Sequence, residues 1–254
     1  MLRRATVLAF LLVLAASTTL PAQQAGGTKW ENTVTVYGWA AAMSGTESIN
    51  GITATVDVPF SDILDNLKMG GMLNYQGRGE KLLAGFDLIY MKLGSDVARP
   101  STGTTLAEVT LKQWLIEADG GYQVTPWLDA LVGLRVPIIE AEVAPDRDNP
   151  VVSEKSGSES WVAPLIGARV HVPLGSKFTL IGRGDVGGFD LGGTNWTWQA
   201  AGYVDYRFSH VVSALLGYRA IAADYANNAD AGAQGYFAYD ITNFGGVLGV
   251  SFTF

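Results

Sequence analysis

From residue 32 onward the apolar positions recur every second residue rather than every third or fourth. In "NWTWQAAGYVDYRF" one alternate set reads Trp196, Trp198, Ala200, Gly202, Val204, Tyr206 and Phe208; the other reads Thr197, Gln199, Ala201, Tyr203, Asp205 and Arg207. In "KLLAGFDLIYMK" Leu82, Ala84, Phe86, Leu88 and Tyr90 oppose Gly85, Asp87, Ile89 and Met91. A period of two is the mark of a strand with two unlike faces. It predicts ten strands, with eight to twelve as the range, near 32–43, 68–79, 81–94, 106–123, 128–141, 159–173, 177–190, 195–208, 210–224 and 237–254. These run twelve to eighteen residues, against about five or six in most soluble sheets.

The connections alternate in length. "GRGEK", "VTPW", "PLGS" and "FSH" are tight, whereas 46–67, 95–105, 145–158 and 226–235 are long, with 190–195 the short member of that second set. Tight turns at one end and longer loops at the other is the layout of a transmembrane up-and-down barrel, and an even strand number puts both termini at the turn end. Within the first long loop, "PFSDILDNL" breaks the alternation. Ser61 is placed to cap a short helix there, and Phe60, Ile63, Leu64 and Leu67 fall on one helical face. That face either folds into the barrel mouth or lies at the surface.

An arginine recurs in the middle of apolar runs: "LVGLRV", "LIGARV", "LIGRGDV" and "LLGYRA". A buried unpaired guanidinium is costly, so its direction matters. Gly133 and Arg135 share one face, as do Gly167 with Arg169 and Gly217 with Arg219; the residues between them face the other way. The arginines therefore point into a lumen while the lipid side stays apolar. The expected lumen charge network is Asp87, Glu117, Asp119, Asp129, Arg135, Arg169, Arg183, Asp185, Asp205 and Arg219, with the glycines leaving room for the arginines. Aromatics eight residues apart on the outer face, Trp114 with Tyr122 and Trp198 with Tyr206, span roughly 20 Å along the membrane normal. With Phe252 and Phe254 they are expected to form the two girdles of an apolar band about 25 Å tall. Lys92 and Lys112 lie on that face near the loop ends, where they reach headgroups. A water-soluble barrel would also alternate, but its polar face would be rich in lysine, glutamate and threonine.

The first 25 residues lack this alternation. Arg3 and Arg4 precede an apolar run from Thr6 to Ala16, with small residues at Ala22 and Ala25. That reads as a secretory signal peptide, removed near residue 25, leaving a barrel domain over 26–254. Losing the two arginines takes the net charge from −7 to −9, which leaves no basic patch for nucleic acid. The chain has no cysteine, hence no disulfide framework or thiol chemistry. No later run of eighteen apolar residues predicts a membrane-spanning helix.

"GGVLGVSFTF" ends the chain on an aromatic, with Val250, Phe252 and Phe254 on one face. It resembles the C-terminal strand of bacterial outer-membrane proteins, which implies recognition by the barrel-assembly machinery through Phe254. "VTVYGWAAAMSG", "VDVPFSDILDNL", "LLAGFDLIYMKL", "WVAPLIGAR", "GRGDVGGF" and "LGYRAIAADY" together resemble a poorly characterised family of small outer-membrane barrels, loosely related to OmpW- and OmpA-type barrels. The resemblance spans most of 30–254 and implies an outer-membrane location and lipid contact, with no substrate. Where that pattern has an acid, this chain has Ala163, which implies one lumen pairing fewer for Arg169.

Little in the chain points to catalysis, and no cofactor or metal is expected. The chain has two histidines. His210 falls in a tight turn and His171 near the turn end on the lumen face, both away from the outer loops, and both are read as satisfied structural residues. Glu117 and Asp119 share a face with arginines, which favours charge pairing over acid–base work. "APDRDNPVVSEK" lacks the ligand spacing of an EF-hand loop, and "GRGDVGG" lacks the following helix of a phosphate cradle. Ten strands lie near the side-chain-filled end of barrel sizes. Pro137 and Pro164 mark either a lateral opening in the wall or the end of regular pairing near the rim. The expectation is a non-enzymatic outer-membrane barrel with a narrow or closed lumen and a structural or interaction role. The alternatives are a narrow channel or transporter and, more remotely, a hydrolase; the ligand is unknown.

Overall fold

The computed structural model describes residues 30–98, 105–145, 154–191, 193–227, 229–231 and 233–254. The expected signal peptide, parts of the long loops 95–105, 145–158 and 226–235, and residue 192 lie outside the described residues. The period-two segments form β1 (Glu31–Ile49), β2 (Ile52–Val58), β3 (Leu67–Arg78), β4 (Leu82–Ala98), β5 (Thr105–Thr125), β6 (Leu128–Pro145), β7 (Lys155–Ser160), β8 (Ala163–Leu174), β9 (Phe178–Leu191), β10 (Thr194–Arg207), β11 (Val212–Ala226) and β12 (Phe237–Thr253). Among the described residues one short helix, α1 (Phe60–Asp65), follows β2.

Ten of these strands close into an antiparallel barrel in the order β1, β3, β4, β5, β6, β8, β9, β10, β11, β12. The seam is β1 against β12, paired from Thr33↔Thr253 to Ile49↔Phe237. At the turn end Asn32 N–H donates to the Phe254 carbonyl at 2.9 Å. Closure pairs the first strand with the last and leaves the ten-strand wall no open edge, which hydrocarbon demands of any spanning sheet. The two further strands are extensions at the loop end. β2 folds back on the upper half of β1, from Met43↔Val58 to Ile49↔Ile52. β7 pairs with the upper part of β6. The strands are long for a reason visible in their ends: the 21 residues of β5 rise about 50 Å at roughly 40° of tilt, twice the apolar band.

The helix forms where expected, but Ser61 does not cap it. Pro59 occupies the cap in an extended conformation, and the Ser61 hydroxyl donates to Asp62 Oδ1 at 3.1 Å instead. Nor does its whole apolar face go inward. Ile63 is buried, while Phe60, Leu64 and Leu67 stay exposed, because six residues make too little helix to bring four side chains over one opening.

The glycines beside the arginines also act differently from the expectation. A Cβ on Gly133 would lie 2.4 Å from the Ala118 carbonyl, and one on Gly167 2.5 Å from the Gly184 carbonyl. On Gly217 it would lie 2.2 Å from the Gly202 carbonyl and 2.4 Å from the Tyr203 ring. The room is thus needed by the neighbouring strand, since a tightly curved wall crowds its inner face. Gly217→Val is expected to lower stability by about 1–3 kcal/mol through overpacking. The urea midpoint of the barrel in detergent checks this, with Gly202→Ala, a position open to its surroundings, as the neutral control.

Pro137 and Pro164 sit where the wall changes partner. Below them β6 pairs β8 as far as Arg135↔Ala163; above them it pairs β7 from Ile138↔Ser160. Between the two ladders Trp161 N–H reaches the Pro137 carbonyl at 3.3 Å, and its indole turns inward and is buried.

Candidate functional site

Alternation sorts the side chains by face, and the barrel interior then divides into three layers. The middle layer is ionic. Arg135, from β6, donates through Nε and Nη2 to Glu117 Oε2 at 2.9 and 2.8 Å, and through Nη2 to Asp185 Oδ1 at 2.7 Å. Its Nη1 donates to the Thr197 hydroxyl at 3.0 Å. Arg183 bonds the other Glu117 oxygen and also reaches Asp119 and Asp185, at 3.2 and 3.1 Å. Arg219 donates to Asp87 Oδ2 at 2.6 Å and to Gln199 Oε1 at 2.9 and 2.6 Å. The Tyr37 hydroxyl donates to the second Asp87 oxygen at 2.8 Å, and Gln199 Nε2 to Asp185 at 3.1 Å. Strands β1, β4, β5, β6, β9, β10 and β11 are thereby tied across the lumen. Arg135, Glu117 and Asp185 have almost no exposed side-chain surface, and charges so desolvated persist only when fully paired.

The remaining expected network residues lie below this belt. Asp129 accepts from Arg78 Nη2 at 2.8 Å and Nη1 at 3.4 Å; Arg78, beside a tight turn, was absent from the expected set. Arg169 donates to the Gln76 amide oxygen at 3.1 Å, and its nearest carboxylate oxygen, Asp119 Oδ1, is 3.9 Å away. Asp205 stands apart from the arginines, accepting from the Ser213 hydroxyl at 2.6 Å. Ala163 is the register partner of Arg135, six residues along β8 from Arg169, so the acid it replaces would have faced Arg135. His171 Nδ1 is 3.5 Å from Asp129 Oδ2 and has no hydrogen-bond partner among the described residues, while the ring also bonds to the Pro126 backbone. His210 is exposed in the β10–β11 turn.

The loop-side layer is apolar, contrary to an interior that is polar throughout. Ile139, Trp161, Ala223, Tyr225, Tyr239 and Ile241 form a buried cluster with Met43, Leu111 and Phe237 packed against it. Trp161 stacks on Tyr225 with ring centroids 4.1 Å apart at 6° and packs on Tyr239 at 5.5 Å. Ile63 of α1 lies against this layer, over a cavity of about 60 Å³ that Trp39, Met72, Met91 and Pro137 also line. Trp39 seals the boundary with the belt, its ring 5.6 Å from the Arg219 guanidinium. Past Lys92, Lys112 and Glu140 on the outer face, burial pushes the Tyr239 hydroxyl up to about 12 and raises the Glu47 carboxyl. The turn-side layer is a polar cavity of about 380 Å³ that reaches the mouth at Ser209 and His210.

The outer face carries the expected aromatics. Tyr122, Phe252 and Phe254 are exposed; Trp114, Trp198 and Tyr206 are half-buried by neighbours on the same face. Trp114 packs on Tyr90 at 4.2 Å, and Tyr206 on Phe178 and Phe208, each at 4.9 Å. Val132, Ile166, Leu216 and Leu248 are exposed between these ends. An apolar belt outside and paired charges inside define a closed barrel of the outer-membrane type.

Among solved structures the chain is similar to the outer membrane protease OmpT from Escherichia coli, at 10% identity and a TM-score of 0.53, with 91% of this chain and 99% of that one covered. Ail, the attachment invasion locus protein of Yersinia pestis, solved with the heparin analogue sucrose octasulfate, aligns at 10% identity and a TM-score of 0.42, covering 89% and 99%. Neisserial surface protein A aligns at 14% identity and a TM-score of 0.33, covering 90% and 99%. No family model and no curated protein sequence matches the chain. The likeness to OmpT is one of fold.

Proposed function

We propose that the protein is a non-enzymatic bacterial outer-membrane barrel with a closed interior, serving a structural or interaction role at the cell surface. The observation that carries this reading is the Glu117–Arg135–Asp185–Arg183 belt with the apolar layer above it. The two cavities share no lining residue, which supports a floor between the two ends of the interior. In this reading the signal peptide exports the chain, Phe254 engages the barrel-assembly machinery, and the exposed girdle residues meet lipid. The strand extensions β2 and β7 then stand beyond the membrane, where a surface partner would meet them. Against catalysis, neither histidine lies in the loop-side mouth: His171 faces Asp129 near the turns, and His210 sits in a turn.

Reconstitution in a planar bilayer tests closure. The expected result is no discrete conductance step; steps of reproducible size would replace this reading with that of a narrow channel. Turnover of lipid A or peptides by the purified barrel would favour the hydrolase alternative. Recovery in the outer-membrane fraction, with different gel migration before and after boiling, is expected for the location.

A further inference from the structure

The turn-side cavity holds an imbalance. Four of the interior arginines, Arg78, Arg135, Arg183 and Arg219, have a carboxylate oxygen within 2.8 Å or in direct ion-pair contact. Arg169 does not. It is 5% exposed, its one hydrogen bond goes to the neutral Gln76 amide, and its nearest carboxylate oxygen is 3.9 Å off. A guanidinium carries five donors in a planar fork shaped for an oxyanion, and among the described residues one is hydrogen-bonded here, to Gln76, with Asp119 beyond hydrogen-bond reach. A nearly buried cation with so little compensation is costly, yet the side chain lines an open cavity.

The cavity's other charged groups favour the same occupant. Arg78, Arg183, Arg207 and Arg219 also line it, against Glu31, Asp87 and Asp205. Of these acids, Asp87 is engaged by Arg219 and Tyr37, and Asp205 by Ser213. Asp129, behind Arg78, has no exposed side-chain surface, while Arg78 retains 29%. Five guanidinium groups, Arg169 included, thus line the cavity against three carboxylates, of which Glu31 is exposed. At about 380 Å³ the space exceeds the roughly 30 Å³ share of one water several-fold. It admits a small anion together with ordered water.

We infer that the turn-side cavity is a binding site for a small soluble oxyanion, a phosphate or carboxylate, held by the Arg169 guanidinium with Arg78 and Arg183 beside it. Entry is from the turn end, at Arg207 and His210, which lies on the periplasmic side if the proposed membrane orientation holds. The site itself does not depend on that orientation. The alternative occupant of the Arg169 donors is water alone.

Calorimetric titration of the folded barrel in zwitterionic detergent tests this, with inorganic phosphate and acetate as separate probes against sodium chloride of equal ionic strength. Saturable binding of one anion per barrel is expected, and the stronger of the two probes identifies the oxyanion class. Arg169→Gln is expected to weaken binding at least tenfold; Arg169→Lys, which keeps the charge and loses the fork, should fall between. If Arg169→Gln does not fold, the wild-type unfolding midpoint decides: phosphate or acetate should raise it above the chloride control, as any ligand bound only by the folded state does. No saturable heat with either anion, or undiminished binding in folded Arg169→Gln, overturns the proposal. Both outcomes are independent of conductance and leave the reading of a closed barrel standing.

Discussion

Arg135→Ala is expected to lower the stability of the folded barrel by about 3–5 kcal/mol, the range for breaking a buried ion pair from one side. Removing the guanidinium takes away both bonds to Glu117 and the one to Asp185. Arg183 then remains as the cation facing Glu117, Asp119 and Asp185 together. The excess negative charge stays desolvated, since the Glu117 and Asp185 side chains have almost no exposed surface. The loss should therefore reside in charge rather than volume. Adding Glu117→Gln to Arg135→Ala is expected to recover part of it, whereas an additional volume loss elsewhere in the belt is not. Urea unfolding in detergent micelles measures both variants. An unchanged midpoint in Arg135→Ala sinks the claim that this pairing holds the strands together.

Trp161→Ala is expected to have a comparable effect, about 3–5 kcal/mol, for a different reason. The indole lies between the two ladders of β6, in the gap between Arg135↔Ala163 and Ile138↔Ser160. It stacks on Tyr225 and packs on Tyr239 and Phe237. Truncation opens a cavity under Ile63, next to the one already there, and leaves the wall unsupported where its ladder is broken. Trp161→Phe separates packing from hydrogen bonding. Trp161 Nε1 is buried with no hydrogen-bond partner among the described residues, so losing it forfeits no bond. The phenylalanine variant should stay within about 1.5 kcal/mol of the parent. If Phe is as damaging as Ala, stacking area is not what the site requires. Entry of small solutes into the loop-side mouth, followed by quenching of the remaining tryptophans, should rise in Trp161→Ala alone.

Much of this architecture can be read from spacing. The period of two places Asp87, Glu117, Arg135, Asp185 and Arg219 on one face before any strand is paired, because side chains of an extended backbone alternate whatever surrounds them. Turn lengths add the antiparallel order. The apolar loop-side layer was legible too, though it is easily passed over. On the Arg135 face the next positions are Pro137 and Ile139; beyond Asp87 they are Ile89 and Met91; beyond Arg219 they are Ile221, Ala223 and Tyr225. Three strands shift from charged to apolar on the same face in the same direction. Taken strand by strand the shift looks like noise; aligned by register it is a layer.

The partners within each face were not legible. Strand tilt carries residues of similar sequence position to different heights, so Asp129 meets Arg78 across the lumen and Asp205 meets Ser213 rather than an arginine. Ala163 shows the same limit: it lies near Arg169 in the chain and against Arg135 in the barrel. Helix capping failed locally because Pro59 took the position that Ser61 would have needed.

Residue alternation alone thus dictates which way each side chain points, and with it an apolar exterior and a charged interior, since that property belongs to the backbone and needs no partner. Closure of ten strands decided the rest: which acid meets which guanidinium, that the mouth is sealed by aromatics, and that Arg169 is left facing a cavity. Those depend on shear and curvature, which arise only when the first strand meets the last.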